Sequence, residues 1–328
     1  MRTSSSDVFQ WIPRDQIDAE DRRFALFPAW LPVDALVRSI RECGVLSPLQ
    51  VEKKPGGKFR PVMGFRRLSA AAELMLVRLP CMIRPEGDPL RVVVEVLEEN
   101  LSTRNLSLVE KGHALRVLKH NFQVEDETLL DRFMPMLGIR PDGYHLHRYL
   151  ELAALPQSLQ ERLLDDLEAD VALPMARWKD DERQLLLELI SKFRLGRNRQ
   201  KQLFALLDEL RAIKPEGADS VTAIWRENCP LDVQEDESRP PSEIFLRCFG
   251  RLQRLRFPRL SEYEQEYERL RSVLRLPPQL QIQAPPNFEG DRLKVCFSFQ
   301  DPDELRSLAL RLEELSRTEE LKAILKLL

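Results

Sequence analysis

The 328-residue chain reads as an α+β N-terminal domain, an all-α helix-turn-helix domain and a small αββα C-terminal module. Three patterns lead there. Over the first hundred residues, short apolar runs cut by glycine and proline alternate with helical stretches. Leucine-, glutamate- and arginine-rich runs of helical period fill the middle. Near the end, a strand–turn–strand signature lies between two helices. Twelve glycines and 7% aromatics weigh against an all-β fold, and 43% hydrophobic with 31% charged residues describe a charge-rich globular chain long enough for several cores. No apolar run approaches the about 20 residues of a membrane span, and the first residues lack a signal-peptide core. Cys43, Cys81, Cys229, Cys248 and Cys296 form no C-x-x-C pair, so they read as the reduced thiols of a cytoplasmic protein. The net charge of -3 excludes a generally basic nucleic-acid binder, and a DNA role would need local basic patches. His145 and His147 are two apart and point to different faces of a helix, which argues against a metal site there.

Taken in order, Phe9–Ile12 reads as a strand followed by a polar and aromatic loop to about residue 31. Pro32 suits the first position of a helix that buries Leu36, Val37 and Ile40 and ends at Gly44. Residues 47–52 and 58–63 form a hairpin around Lys54-Pro55-Gly56-Gly57. Then comes Gly64-Phe65-Arg66-Arg67 with an alanine-rich helix behind it, expected to run to about Val77. Gly64 permits a backbone angle other residues resist and lets a ligand approach the main chain. The first amides of that helix lack internal partners and carry the positive end of its dipole, so they form a seat for phosphate. Arg66 and Arg67 add charge-assisted donors at the same place. Leu79–Ile83 is a further strand, residues 89–100 a helix, with a strand the alternative at Val92–Val94, and Ser107-Leu108-Val109-Glu110 a capping box opening the next helix, with Leu115 and Leu118 inward.

The ordered blocks Leu36 to Val51, Gly64-Phe65-Arg66-Arg67-Leu68-Ser69-Ala70-Ala71, Glu99-Asn100 and Leu106 to Glu110 resemble the N-terminal domain of ParB-family partition proteins, a ParB/sulfiredoxin-like fold. The resemblance implies binding of CTP with magnesium. Gly44, Ser47 and Pro48 would face the base. Gly64, Phe65, Arg66, Arg67 and Ala70 would line the phosphates, and Glu99 and Asn100 would contact metal and phosphate. Magnesium taking one or two carboxylate or amide oxygens beside phosphate oxygens is sound chemistry. The chain departs from the family at the arginine after Glu-Asn-x-x, where Thr103 stands and Arg104 follows. Either Arg104 reaches the site from a shifted turn or triphosphate binding is weaker. Sulfiredoxin's reactive cysteine is missing from the Gly64 turn, which disfavours redox chemistry.

Leu129–Met136, a turn at Gly138 and Tyr144–Leu152 form a helix–turn–helix pattern. Its second helix would present Tyr144, His145, His147 and Arg148, with Arg140 just before it, as DNA contacts. A second DNA candidate is the stretch 192–201, where Lys192, Arg194, Arg197, Arg199 and Lys201 occur with no acid; such a cluster positions a duplex without reading it. Residues 230–243 are acidic and proline-bearing and read as a linker, and Ile244–Phe257 as an amphipathic basic helix stopped by Pro258. Helix 261–276, strands 279–284 and 292–299, and helix 302–315 follow, with a terminal helix over 319–328. Leu293, Val295, Phe297 and Phe299 alternate with polar residues, the mark of a half-buried strand. This tail buries too little alone and resembles the ParB dimerisation domain, so a homodimer is expected.

These observations set expected boundaries: a nucleotide-binding domain over 1–105, a helical DNA-binding domain over 106–225, linker and basic helix over 226–258, and a dimerisation module over 259–328. The resemblance implies a nucleoid-associated, CTP-switched clamp or regulator of double-stranded DNA in chromosome or plasmid partition or mobile-element maintenance. Slow CTP hydrolysis would reset it, and a partner ATPase is compatible with it. Two other readings stay open: a small-molecule kinase or nuclease on the same fold, and a transcriptional regulator with a decayed nucleotide site.

Overall fold

A computed structural model describes residues 8–213, 220–229 and 239–328 of the chain. It divides into two units, one ending at Arg177 and one starting at Trp178. The first is built on a four-stranded sheet of order β1-β4-β2-β3, with β1 Val8–Pro13, β2 Leu49–Lys53, β3 Phe59–Met63 and β4 Arg78–Arg84. β2 pairs antiparallel with β3 around the expected glycine turn and parallel with β4, and β1 closes the edge antiparallel to β4. One core joins Ile12, Leu49, Val51, Leu79 and Cys81 of the sheet to Leu68 and Ala71 of helix α2, Phe65–Glu73. A second core takes Val62 and Met63 of β3 against Val92, Val93, Val96 and Leu97 of α3, Pro89–Thr103, and runs on into the helices that follow.

The start of α1 and the end of α2 differ from expectation. Helix α1 starts at Asp34, with Pro32 outside it, and ends on Gly44 at φ 72°. Helix α2 ends at Glu73 because Met75 turns into the left-handed region, φ 54°, and Val77 is used to hold Arg14 through a backbone hydrogen bond of 2.9 Å.

Helix α4, Leu108–Asn121, opens with the expected capping box: the Glu110 amide donates to Ser107 Oγ, and the Ser107 amide donates to Glu110 Oε2 at 3.0 Å. Leu115 and Leu118 are fully buried. A helix over 126–136, α5, carries a π-helical turn at Leu129–Phe133. A turn at Gly138, φ 64°, leads to α6, Gly143–Ala154, capped by Asp142. Gly112 lets α4 and α6 meet closely, since a Cβ there would lie 2.5 Å from the Tyr149 carbonyl oxygen. Helices α7, Gln157–Asp165, and α8, Ala169–Met175, complete this unit.

The second unit opens with α9, Asp180–Phe193, and α10, Arg197–Ile213, followed by α11, Val221–Asn228, and α12, Pro241–Arg256. Phe193, Leu203, Leu207, Trp225, Phe245 and Cys248 are buried here. The linker expected over 230–243 falls largely outside the described residues, and its last part is already helix from Pro241. Pro258 stops α12 and also begins α13, Pro258–Val273, because a proline needs no helical amide at the first position. Strands β5, Leu280–Gln283, and β6, Lys294–Phe297, pair antiparallel, followed by α14, Pro302–Ser316, and α15, Glu319–Leu325. Leu280 and Ile282 of β5 pack on Tyr267, Leu270, Leu308, Leu315 and Ile324. The alternating face of β6 is a correction to the sequence reading: Val295, Phe297 and Phe299 are 41%, 43% and 50% exposed. Among the described residues these three side chains stay partly open to solvent. No helix among the described residues is long and apolar enough to cross a membrane.

Candidate functional site: an arginine-lined cavity at the start of helix α2

Gly64 ends β3 and caps α2 in the left-handed region at φ 97° and ψ 23°. A Cβ added there would lie 3.1 Å from Leu49 Cγ and 3.2 Å from Arg67 Nε, so the position needs glycine for its angle and for its space. The first turn of α2 contains no acid and two arginines, which leaves the positive end of the dipole uncompensated. Above it opens a cavity of about 320 Å³.

Its floor at the start of α2 consists of Gly64, Phe65, Arg66 and Arg67. Arg66 donates from Nη2 to the Pro32 carbonyl at 2.6 Å, while its buried Nε has no hydrogen-bond partner. Burial, and then the charge of Arg104, push the Arg66 guanidinium below its ordinary range. Arg67 donates from Nη1 to the Ser47 and Pro48 carbonyls at 2.7 and 2.9 Å, and its Nη2 lies 3.6 Å from Glu99 Oε1. Burial lowers it as well, with Glu99 acting against that. Cations kept this dry gain from an anion that satisfies their remaining donors.

The opposite wall is the last turn of α3. Asn100 donates to the Val96 carbonyl at 2.8 Å and to Glu99 Oε2 at 3.2 Å, leaving its own Oδ1 to accept from Arg104 Nη2 at 3.3 Å. Thr103 lines the cavity too, with its hydroxyl bonded to the Glu99 and Asn100 carbonyls. Arg104 is the C-cap of α3, with extended backbone at φ -161° and ψ 161°. Leaving the helix there changes the direction of its side chain, so the arginine one position late still lines the cavity. It is held by Glu110 Oε1 at 2.5 Å and lies 5.1 Å from the Phe27 ring centroid.

Sequence reasoning missed the remaining wall, Arg22, Phe24, Leu26, Phe27 and Pro28. The aromatics of that loop were visible; its shape was not. Asp21 anchors it to the sheet through Arg60 at 2.8 Å and Lys54 at 2.9 Å, and Arg22 lies 5.0 Å from the Phe65 ring centroid. Of the expected residues, Ser47, Gly64, Phe65, Arg66, Arg67, Glu99, Asn100 and Arg104 line this one cavity. Gly44, Pro48 and Ala70 do not: Gly44 is an exposed helix cap, Pro48 contributes a carbonyl to Arg67, and Ala70 is fully buried.

On α6, Tyr144 is 69% exposed and meets His145 edge-on at 5.3 Å. His145 Nδ1 and Arg140 Nε both engage Asp142, at 2.8 and 3.0 Å. His147 lies 3.3 Å from Glu151, and Arg148 pairs with Asp170. In the second unit Lys192, Arg194, Arg197 and Lys201 are exposed around the α9–α10 connection, and Arg199 is half-buried. No group of three or more candidate metal ligands occurs among the described residues.

Residues 4–101 match the family described as ParB N-terminal domain. The chain is 26% identical over 203 residues to the nucleoid occlusion protein of Listeria innocua, covering 62% of this chain and 68% of that one. It is 31% identical over 134 residues to the chromosome-partitioning protein ParB of Caulobacter vibrioides, covering 40% of this chain and 42% of that one. Among solved structures, C-terminally truncated ParB from Caulobacter crescentus complexed with CTP-gamma-S is 26% identical, covers 55% of this chain and 99% of that one, and has a TM-score of 0.23. The same protein complexed to the centromeric parS site is 23% identical, covers 60% of this chain and 98% of that one, with a TM-score of 0.33.

Proposed function

We propose that the chain, whose residues 4–101 match the ParB N-terminal domain, is a ParB-family, CTP-switched, DNA-binding partition protein. The observation that carries the nucleotide reading is the convergence of Arg66, Arg67 and Arg104 on one cavity at a glycine-capped helix start, with the Arg66 Nε left over as a buried donor. In this reading the α2 amides, Arg66 and Arg67 hold a triphosphate, and Arg104 supplies the charge that the family places one residue earlier. Ser47 lies towards the base. Glu99 and Asn100 offer one carboxylate and one amide oxygen, a fitting partial set for a magnesium ion whose other ligands are phosphate and water oxygens.

CTP acts by favouring one arrangement of the chain over another, a population shift in which slow hydrolysis serves as reset. The cavity wall favours such coupling: Arg104 is shared with Glu110, which also caps α4, so a phosphate drawing on Arg104 bears on the α3–α4 junction. DNA is contacted through the helix-turn-helix of α5 and α6, where exposed Tyr144 and the Asp142-held Arg140 and His145 stand at the start of the second helix. The exposed apolar face of β6 supports a homodimer through the C-terminal module. A nucleoid-associated location follows from the DNA reading.

Arg66→Ala tests the site assignment. Loss of CTP binding with an unchanged circular dichroism spectrum and melting temperature is the expected result; unchanged affinity would sink it.

A further inference from the structure

Residues 192–201 carry five cations and residues 244–256 carry four, with no carboxylate in either stretch, in a chain whose net charge is -3. The fold joins the two. Phe193, the last residue of α9, packs on Phe245 of α12 with ring centroids 5.8 Å apart. The Arg199 guanidinium of α10 lies 5.7 Å from the Phe245 centroid, and the Lys192 ammonium 5.9 Å from that of Phe193. On α12, Cys248 is buried between these elements. A hydrogen bond with Cys229, and then the charges of Arg251, Arg247 and Lys192, hold its thiol below the ordinary range against the effect of burial. Arg247 and Arg251 flank Cys248 on α12, whose Phe245 meets Phe193 of α9 and Arg199 of α10.

How these charges are held matters. Lys192 and Arg199 lie against aromatic faces, which support a cation without cancelling its field. Arg251 donates to the Asn228 carbonyl at 3.3 Å, and Arg247 is exposed. On α10 and α12, Glu209 binds Arg256 at 2.8 Å, which takes that cation out of the surface, and Glu243 pairs with Arg239. A cluster of cations from three helices, interleaved with aromatics, suits a line of phosphates better than a single carboxylate.

We infer that Lys192, Arg199, Arg247 and Arg251 form a composite surface that binds the phosphate backbone of double-stranded DNA without reading its sequence. This rests on the DNA-binding reading above and adds to it a contact surface assembled from two stretches some fifty residues apart.

The test uses the full chain and fluorescence anisotropy with a random-sequence duplex between about 50 and about 200 mM salt. Lys192→Gln and Arg247→Gln are both exposed substitutions, one from each stretch. Each should make the slope of log affinity against log salt shallower by about 0.9, and the pair by about 1.8. The loss should be equal for unrelated duplex sequences, with CTP binding and melting temperature unchanged. Arg251→Gln repeats the expectation should the pair fail to fold. An unchanged slope in folded variants overturns the inference while leaving the helix-turn-helix reading intact. Absence of any duplex binding by the wild-type chain overturns both. Loss of binding to phosphatidylglycerol vesicles with duplex binding retained assigns the surface to a membrane and overturns it as well.

Discussion

Replacing Gly64 by alanine separates two roles that one residue combines. The backbone at φ 97° costs a residue with a Cβ about 1–2 kcal/mol. The new methyl group also meets Leu49 Cγ at 3.1 Å and the Arg67 guanidinium at 3.2–3.3 Å. Leu49 is fully buried in the sheet, so the arginine is the group that gives way. Its displacement loosens the bonds to the Ser47 and Pro48 carbonyls and moves one of the cavity's four arginines. A charge-assisted hydrogen bond contributes about 1.5–3 kcal/mol, which corresponds to a loss of roughly 10- to 100-fold in triphosphate affinity. Gly57→Ala is the matched control: its φ is 93°, and a Cβ there meets nothing within 4 Å. Urea denaturation should show a similar backbone penalty in both variants, with a further packing cost at Gly64. Titration with CTP should show weakened binding only in Gly64→Ala. Wild-type nucleotide affinity in Gly64→Ala, or equal losses in the two variants, would refute the placement of Arg67 against the ligand.

Gly112→Ala puts a methyl group 2.5 Å from the Tyr149 carbonyl oxygen and should force α4 and α6 apart, lowering stability by about 1–3 kcal/mol or more in urea titrations. Phe297→Asp places a charge in the exposed apolar face of β6 and should raise the dimer dissociation constant by at least about 30-fold, from roughly 2 kcal/mol of apolar burial lost. Sedimentation over a range of concentrations reads this, and an unchanged distribution speaks against that interface. Asp21 gives a pH signature. Burial pushes its carboxyl up, but hydrogen bonds from Arg60, Lys54 and the Arg23 amide outweigh it and hold it at about 2 against an ordinary 3.8. The folded value is depressed, so its stabilisation is present above about pH 4 and fades as pH falls through 3.8 towards 2. It amounts to about 2 kcal/mol, with about 1 kcal/mol lost by pH 3. The stability gap between wild type and Asp21→Asn should therefore narrow from pH 5 to pH 3, and a constant gap would contradict the assignment.

The Gly64 turn was legible because a glycine between a strand and an alanine-rich helix has few uses, and two arginines in the first turn oppose the dipole. The hairpin, the capping box at Ser107 and the Gly44 cap rest on equally local chemistry. The loop wall at 22–29 was not legible, because its shape depends on ion pairs between residues 36 and 39 positions apart, Asp18 with Lys54 and Asp21 with Arg60. Arg104 shows an intermediate case. Its presence could be read, but its arrival in the cavity depends on one extended backbone position at the end of α3. The early start expected for α1 at Pro32 failed because Pro32 lies outside the helix and its carbonyl serves Arg66. The β6 alternation correctly marked a strand, while its apolar side chains stay exposed among the described residues, a packing outcome that alternation alone does not fix.

The most direct test of the central claim is calorimetric titration of the full chain with CTP in magnesium, with ATP and GTP as controls. Saturable binding of CTP alone is the predicted result. Absence of binding by any of the three nucleotides would contradict the account and leave a DNA-binding protein with a vestigial cavity.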